Sequence, residues 1–224
     1  MLTTYTLERL RNLAQHRSTL LEHEAKDILR EAGFSVPIGK FIRKGETLPQ
    51  NLGLKYPLAA KVSSERITSK SDLHGVMTGL QGEPELRHAV EELIRIENAE
   101  GVLVEEMAQP GVEVIIGGVI DRQFGPVMMF GLGGIFTELF RDVSFGLAPL
   151  AREDAYWMIH GIKGQRLLEG FRGNPPVDKE ALAGFLVRAS EVMATGHVEE
   201  IDLNPVSLYA DGAIVLDAKM KLRS

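Results

Sequence analysis

The sequence predicts a mixed fold, α/β or α+β, in which antiparallel strands are prominent. Apolar residues recur at helical spacing near the N-terminus, short apolar runs bounded by turn residues follow, and the second half is rich in hairpin signals. Helices and strands alternate with paired neighbouring strands, which favours this class. The 224 residues suffice for one large domain or two small ones whose core needs neither disulfides nor a structural metal.

Helices are expected where apolar side chains return every three or four residues. Gly33 is suited to the C-cap of the first such segment, and Pro37 follows it as a stop. The segments with this pattern are residues 6–32, 85–97, 153–162 and 179–195.

Strands are expected in the short apolar runs between these segments. The dipeptide Asp121-Arg122 separates two long runs and predicts a hairpin, and the turn at residues 210–212 joins the last two strands. A soft boundary falls at Gln109-Pro110-Gly111. The predicted strands are residues 38–43, 58–62, 101–107, 112–120, 127–130, 201–206 and 213–217.

Composition excludes several classes of function. The net charge is −6 with acidic residues scattered along the chain, so we expect no basic face for nucleic acid. Cysteine is absent, which excludes disulfides, thiolate chemistry and cysteine-based zinc sites. Glu8 and Arg9 stand where a secretory signal would have an apolar core, and the uncharged residues 124–137 are too few to cross a bilayer. We therefore expect a cytoplasmic protein that binds neither nucleic acid nor membrane.

Oxygen-bearing side chains lie near the C-terminus. Asp202 and Asn204 are two residues apart and therefore share one face of a strand, and Asp217 interrupts the apolar run that follows. Carboxylate and amide oxygens of this kind suit Mg²⁺, which leaves its other positions to phosphate and water. From spacing alone, ordinary solvent-facing residues are the commoner explanation.

Lys61 is a second candidate because it interrupts an apolar strand. A buried lysine needs a partner, and an anionic ligand is a suitable one. An edge-strand lysine that reaches water is an equally good explanation. The glycine-rich residues 130–136 could bring backbone N–H groups close to phosphate or form a tight hairpin, and they match neither a Walker loop nor a dinucleotide fingerprint.

Carboxylates at strand ends are a third candidate. Glu105 and Glu106 end one apolar strand, and Glu113 interrupts another. Backbone groups beside them could meet an adenine edge while a glutamate binds ribose, although solvated strand-end charges are the commoner case. None of the six histidines has the spacing of a metal site, and no nucleophile signature accompanies them. Each histidine is expected to be structural, with His74 as the one exception kept open.

Taken in order, several segments resemble the ATP-grasp β subunit of ADP-forming acyl-CoA synthetases, a family distantly similar to the succinyl-CoA synthetase β subunit. The likeness covers about residues 20–222, and its specificity comes from the ordered set rather than from any one motif. The segments are residues 56–61 (YPLAAK), 70–76 (KSDLHGV), 111–139, 141–145 (RDVSF), 170–173 (GFRG) and 200–205 (EIDLNP).

The resemblance implies an ATP-grasp fold in which two subdomains with antiparallel or mixed sheets clasp the nucleotide, preceded by an N-terminal helix. Residues 1–37 would form the helical segment, 38–108 the small subdomain and 109–224 the large one. The implied cofactors are ATP/ADP and Mg²⁺. The resemblance also implies site residues: Lys61 at the phosphates as a catalytic and binding residue, the hinge of Val104, Glu105, Glu106 and Met107 at adenine, Glu113 near ribose, and Asp202, Asn204 and Asp217 at Mg²⁺.

The implied reaction is acyl-CoA + ADP + phosphate ⇌ carboxylate + CoA + ATP. It would need a partner of the CoA-binding α type that bears a phosphohistidine, and the carboxylic acid or acyl-CoA would be handled through that partner. The chain itself would be the β subunit of an acid–CoA ligase and inactive alone.

One departure from the family concerns the relay of phosphate. Members usually have His-Lys-Ser-Asp where this chain has Ser69-Lys70-Ser71-Asp72, and serine cannot form a labile phosphoramidate. His74, where the family usually has glycine, could compensate if the loop shifts. Otherwise the partner's histidine delivers phosphate directly, or the chain is a nucleotide-binding module without transfer. Another ATP-grasp carboxylate ligase is a further alternative, although little chain remains for its additional substrate domain.

Overall fold

The computed structural model describes residues 2–67, 69–134, 141–170 and 175–223. The chain forms two compact units. The small unit contains Leu21–Glu24 and Pro37–Gln109, and the large unit contains Met1–Leu20, Ala25–Val36 and Pro110–Ser224. In chain order the elements are α1 (Thr4–Ala14), α2 (Glu22–Glu31), β1 (Gly39–Arg43), β2 (Leu58–Ser63), β3 (Val76–Leu80), α3 (Glu83–Leu93), β4 (Gly101–Glu106), β5 (Val112–Asp121), β6 (Gly125–Leu132), β7 (Val143–Leu147), α4 (Arg152–Gly161), α5 (Lys179–Ala194), β8 (Val198–Tyr209), β9 (Gly212–Val215) and β10 (Ala218–Leu222).

The predicted mixture of helices and antiparallel strands is confirmed in both units. The small unit has a four-stranded sheet in the order β1-β4-β2-β3, and the large unit has a six-stranded sheet in the order β10-β8-β5-β6-β7, with β9 paired to β8. In the part of the chain that the structure describes, every pair of neighbouring strands is antiparallel. No helix in the described part of the chain is both long enough and apolar enough to cross a membrane.

The N-terminal periodic segment is two helices rather than one continuous helix. Between α1 and α2 the chain is extended along β10: Leu20 N–H donates to the Met220 carbonyl (3.0 Å), and Leu222 N–H donates to the Ser18 carbonyl (2.8 Å). The break follows from these backbone hydrogen bonds, which a helical conformation of residues 18–20 would not permit. Thr3 caps α1 by accepting a hydrogen bond from Thr6 N–H.

The core of the small unit lies between its sheet and α3. Every residue of β2 is buried, because β2 lies in the interior of the sheet, paired with both β4 and β3. The amphipathic helix α3 turns Leu86, Ala89, Val90 and Leu93 inward. Strand β4 is also interior, paired with β1 and β2.

In the large unit, the long hairpin of β5 and β6 is formed as predicted. Its turn is stabilised by the Asp121 carboxylate, which accepts hydrogen bonds from the N–H groups of Gln123 (2.7 Å) and Phe124 (2.9 Å). One face of the sheet contributes Met128 and Phe130 to a core that includes residues of α4 and α5. Strands β3 and β7 were not predicted. They are short edge strands whose sequences lack a long apolar run.

Candidate functional site

Lys61 is held inside the small unit by two carboxylates. Its Nζ lies 2.9 Å from Glu22 Oε1 and 2.9 Å from Glu105 Oε2. The residue is 8% exposed and lies on the interior strand β2. The alternative of an edge-strand lysine that reaches water is therefore wrong, and the lysine is charged and paired in the interior.

Glu22 also binds a second lysine. Its Oε2 lies 2.8 Å from Lys70 Nζ, so the two oxygens of one carboxylate contact two ammonium groups. We call Glu22, Lys61, Lys70 and Glu105 the buried charge cluster, since all four are at most 9% exposed. Removing four charged groups from water costs several kcal/mol per ion, which close pairing offsets only in part. Such a cluster is by itself weak evidence for stability.

Local structure explains how the cluster forms. Glu22 is the first residue of α2, where the positive end of the helix dipole favours a carboxylate. The next residue, His23, stacks on Phe41 of β1 with ring centroids 4.1 Å apart. Lys70 begins the turn that leads into β3, and its carbonyl accepts hydrogen bonds from Leu73 N–H (3.3 Å) and Gly75 N–H (2.7 Å).

The predicted adenine hinge is the end of β4. Val104 and Glu105 are buried, whereas Met107 is 38% exposed. Glu106 N–H donates to the Ile38 carbonyl (2.9 Å), and Met107 N–H donates to the Pro57 carbonyl (3.0 Å). These two N–H groups are therefore engaged within the small unit.

In the large unit, the backbone brings Asn204 next to Asp217, two residues after Asp202 on β8. Leu203 on β8 is fully buried, while Asp202 beside it is half-buried and Asn204 is exposed. Asn204 N–H donates to the Asp217 carbonyl (3.2 Å), and Leu203 pairs with Ala218. The register of β5 against β8 shifts here, where Val114 pairs with Val206 and Ile116 with Leu203. Such a bulge re-aims the side chains next to it.

Asp217 does not lie within a strand as expected. It occupies the short break between β9 and β10. The break is anchored by Lys26 of α2, which is 2% exposed and whose Nζ donates to the Leu216 carbonyl (2.7 Å). In the antiparallel register of β10 and β8, Lys219 lies opposite Asp202. Strand β8 pairs first with β10 and then, further along, with β9. Asp217 lies between these two short strands.

This donor set fits a hard divalent cation that is also bound by phosphate. Two carboxylates and one amide supply three oxygen donors, and Mg²⁺ usually takes only a few protein ligands and fills the rest with phosphate oxygens and water. Within the described ranges no group of three or more His, Cys, Asp or Glu side chains could hold a metal. Carboxylate and amide oxygens are ligands of the kind that suits Mg²⁺.

Glu113 is exposed on β5, and the glycine-rich turn after β6 contacts its backbone. Gly133 N–H donates to the Glu113 carbonyl (2.8 Å). A Cβ on Gly133 would lie 3.1 Å from the Glu113 backbone, so the turn packs tightly against β5 at this position. Residues 135–140 and 171–174 of the quoted motifs lie outside the described residues.

His74 is exposed and has a φ of 51°, in the left-handed region that favours glycine. Next to it, a Cβ on Gly75 would lie 2.5 Å from Val62 Cγ1 and 3.0 Å from the Lys70 carbonyl oxygen. The loop is thus packed closely against β2, and Ser69 within it is half-buried.

The residues that the sequence analysis missed are Glu22 and Lys70. Glu22 and Lys26 are spaced i, i+4 and therefore fall on the same helix face as the apolar stripe of Ala25 and Leu29. Two charged residues on a stripe expected to face the core signal buried partners. Lys70 was part of a quoted motif, but nothing in its spacing indicated burial.

Comparisons with known proteins extend along nearly the whole chain. A family described as an ATP-grasp domain matches residues 11–222. The β subunit of ADP-forming acetate–CoA ligase I of Pyrococcus furiosus is 42% identical over 214 residues, which is 91% of each chain. The ADP-forming acetate–CoA ligase II of Archaeoglobus fulgidus is 40% identical over 90% of this chain but only 30% of its own, longer length.

A solved structure is similar as well. It is an acetyl-coenzyme A synthetase of Ca. Korarchaeum cryptofilum in complex with coenzyme A and Mg-AMPPCP, whose phosphohistidine segment points towards the nucleotide binding site. The two chains superpose with a TM-score of 0.83 and 43% identity, over 97% of this chain and 100% of the other.

Proposed function

Because this chain belongs to the ATP-grasp family, among the β subunits of ADP-forming acyl-CoA synthetases, we propose that it is the ATP/ADP-binding subunit of such an enzyme. The reaction is acyl-CoA + ADP + phosphate ⇌ carboxylate + CoA + ATP. The observation that carries the proposal is the end-to-end correspondence with a separate β subunit, 91% of each chain. The match to the family model covers residues 11–222, a range that includes every segment on which the proposed site depends.

The small unit supplies the phosphate and adenine contacts in this proposal. Lys61 is charged, buried and held by Glu22 and Glu105, which fixes the position of its ammonium group. Phosphoryl transfer depends mainly on such positioning and on the neutralisation of charge. The hinge of Val104 to Met107 receives the adenine base, and Glu113 of the large unit binds the ribose.

The large unit supplies the metal site in this proposal. Asp202, Asn204 and Asp217 hold Mg²⁺, which neutralises charge on the phosphate oxygens. The backbone hydrogen bond between Asn204 and Asp217 keeps the two residues adjacent. The anchored break at Leu216 supports the same placement.

We further propose that the chain acts with a CoA-binding partner that carries the phosphohistidine. Support comes from the relatives: one is a separate β subunit, and another is a chain of which this one matches 30%. The acid or acyl-CoA is then handled by that partner. A cytoplasmic location is in keeping with the absence of cysteine.

The test is reconstitution. The chain is co-purified with the CoA-binding protein encoded beside it, and ATP formation is measured from ADP, phosphate and a panel of acyl-CoA thioesters. We expect activity that requires both proteins and that Lys61→Met abolishes. No ATP formation with any thioester, from a complex that does bind CoA, would refute the proposal.

A second candidate is a nucleotide-binding module that does not transfer phosphate. The observation in its favour is Ser69, which occupies the place of the relay histidine. Transfer of radiolabelled phosphate from ATP to the partner separates the two functions. Measurable transfer eliminates the module, and tight Mg·ATP binding without transfer supports it.

A further inference from the structure

Lys26 is a buried lysine of α2 to which no role in binding has been assigned. It is 2% exposed, and its neighbours on the same helix face, Ala25 and Leu29, are fully buried. Burying an ammonium group costs free energy unless hydrogen bonds replace the water that it loses. Lys26 Nζ donates to the carbonyl oxygen of Leu216 at 2.7 Å, 190 positions further along the chain. The ammonium group is thus directed at the residue just before Asp217.

The segment that receives this hydrogen bond is the break between β9 and β10. Two backbone hydrogen bonds join it to β8: Leu216 N–H donates to the Pro205 carbonyl (2.9 Å), and Asn204 N–H donates to the Asp217 carbonyl (3.2 Å). Lys26 joins the same segment to α2. The Leu216 carbonyl belongs to the planar peptide group that also contains the Asp217 nitrogen. A donor held on this oxygen therefore fixes the orientation of the peptide from which the Asp217 side chain projects.

We propose that Lys26 is a positioning residue for the metal site. It holds the peptide between Leu216 and Asp217 so that the Asp217 carboxylate lies beside Asn204, where both bind one divalent cation. This inference rests on the proposed nucleotide-binding function, because the cation is the one bound together with the nucleotide phosphates. Mg²⁺ demands near-ideal octahedral geometry, with ligands at about 2.0–2.1 Å, so a small displacement of one carboxylate lowers its affinity.

The charge of Lys26 indicates that it contributes position rather than attraction. A cation fixed close to a metal site repels the metal, so an ammonium group in this place is not explained by its charge. Its four-carbon stem carries a donor from the helix to a backbone oxygen, and a charged donor makes a stronger hydrogen bond than a neutral one. The distance of 2.7 Å to the Leu216 carbonyl is at the short end of the usual range.

The test measures how much Mg²⁺ adds to nucleotide affinity. The full chain is titrated with ADP by calorimetry, once with Mg²⁺ and once with EDTA, and the ratio of the two dissociation constants is the metal-dependent gain. For Lys26→Met we expect this gain to fall by about tenfold, the lower end of the effect of losing a residue that orients a metal ligand. The affinity for ADP in EDTA stays the same.

Ser190→Ala is the matched control for a general loss of stability. Ser190 is fully buried in the same unit. Its hydroxyl accepts a hydrogen bond from Leu150 N–H (2.9 Å) and donates one to the Val187 carbonyl (2.6 Å). The variant thus removes buried hydrogen bonds without removing a contact of the break. We expect it to lower stability and to leave the metal-dependent gain unchanged.

A double-mutant cycle tests whether Lys26 acts through Asp217. In an Asp217→Asn background, Lys26→Met should reduce the metal-dependent gain by less than about twofold, because the carboxylate that it positions is already absent. An equal reduction in both backgrounds would overturn the positioning role. A rise in the gain for Lys26→Met would overturn it as well, since the ammonium group would then act by repelling the metal. If Asp217→Asn leaves no gain to measure, the comparison of Lys26→Met with Ser190→Ala decides.

The outcomes distinguish this inference from the proposed function. An unchanged gain in folded Lys26→Met, with Mg²⁺-dependent ADP binding by the parent chain, refutes the positioning role and leaves the proposed function standing. Equal affinity of the parent with and without Mg²⁺ refutes the metal site together with this inference, and absence of ADP binding by the parent refutes the proposed function too. Circular dichroism checks folding. If Lys26→Met does not fold, Lys26→Gln, whose donor nitrogen is one bond closer to the backbone, must show the same fall.

Discussion

Replacing Lys61 by methionine tests whether the buried charge cluster is formed as the structure shows. Methionine has a similar length and no charge. Glu22 retains the Lys70 ammonium at 2.8 Å, whereas Glu105 loses the Lys61 ammonium at 2.9 Å. Removing one partner of a buried ion pair costs about 3–5 kcal/mol. We expect Lys61→Met to lower the free energy of unfolding by that amount at pH 7.

The loss of unfolding free energy caused by Lys61→Met should depend on Glu105. In a Glu105→Gln background the neutral amide needs no counter-charge, and the cost of Lys61→Met should fall to about 1–2 kcal/mol. Urea denaturation followed by circular dichroism measures all four corners of this double-mutant cycle. Arg87→Met, at an exposed ion pair, should change stability by less than about 0.5 kcal/mol. Equal costs of Lys61→Met in both backgrounds would refute the pairing.

Three further outcomes are expected. Asp217→Asn should weaken Mg·ATP binding in calorimetry while leaving the fold intact, and an unchanged affinity would remove Asp217 from the metal site. His74→Gly should raise the free energy of unfolding by about 0.5–1 kcal/mol in urea denaturation, because glycine adopts a φ of 51° without steric cost. Retained ATP synthesis in that variant would exclude His74 as a phosphate relay. Hydrogen bonds from the N–H groups of Phe124 and Gln123 lower the pKa of Asp121. The stabilisation of the fold by this carboxylate is therefore complete above its unfolded pKa of about 3.9 and is lost as the pH falls through the folded pKa. Asp121→Ala should therefore destabilise the chain at pH 7 in thermal melts, and a cost that did not shrink at lower pH would contradict this.

The hairpin of β5 and β6 shows what local sequence can predict. Its two apolar runs and the Asp121 turn lie within about twenty residues, and the hydrogen bonds of the turn join residues two and three positions apart. The break between α1 and α2 could not be predicted in this way. It depends on hydrogen bonds between residues 18–20 and β10 at the far end of the chain.

The candidate site also combines residues predicted from local spacing with positions that depend on distant contacts. Asp202 and Asn204 were identified because a spacing of two places side chains on one face of a strand. Asp217 was identified as well, but its position in a break depends on Lys26, which contacts the Leu216 carbonyl from 190 residues away. The role of each site residue and the three-segment division of the chain stay predictions.

By itself the sequence determined the family, through motifs in a fixed order, and the classes of the main elements, through patterns that span a few residues. Only the tertiary structure decided which buried charges meet. Glu22 and Lys61 are 39 residues apart, and the sequence around either residue does not predict that the other is its partner. The physical reason is that side-chain periodicity depends on neighbours along the chain, whereas the pairing of buried ions depends on which distant segments pack together and exclude water.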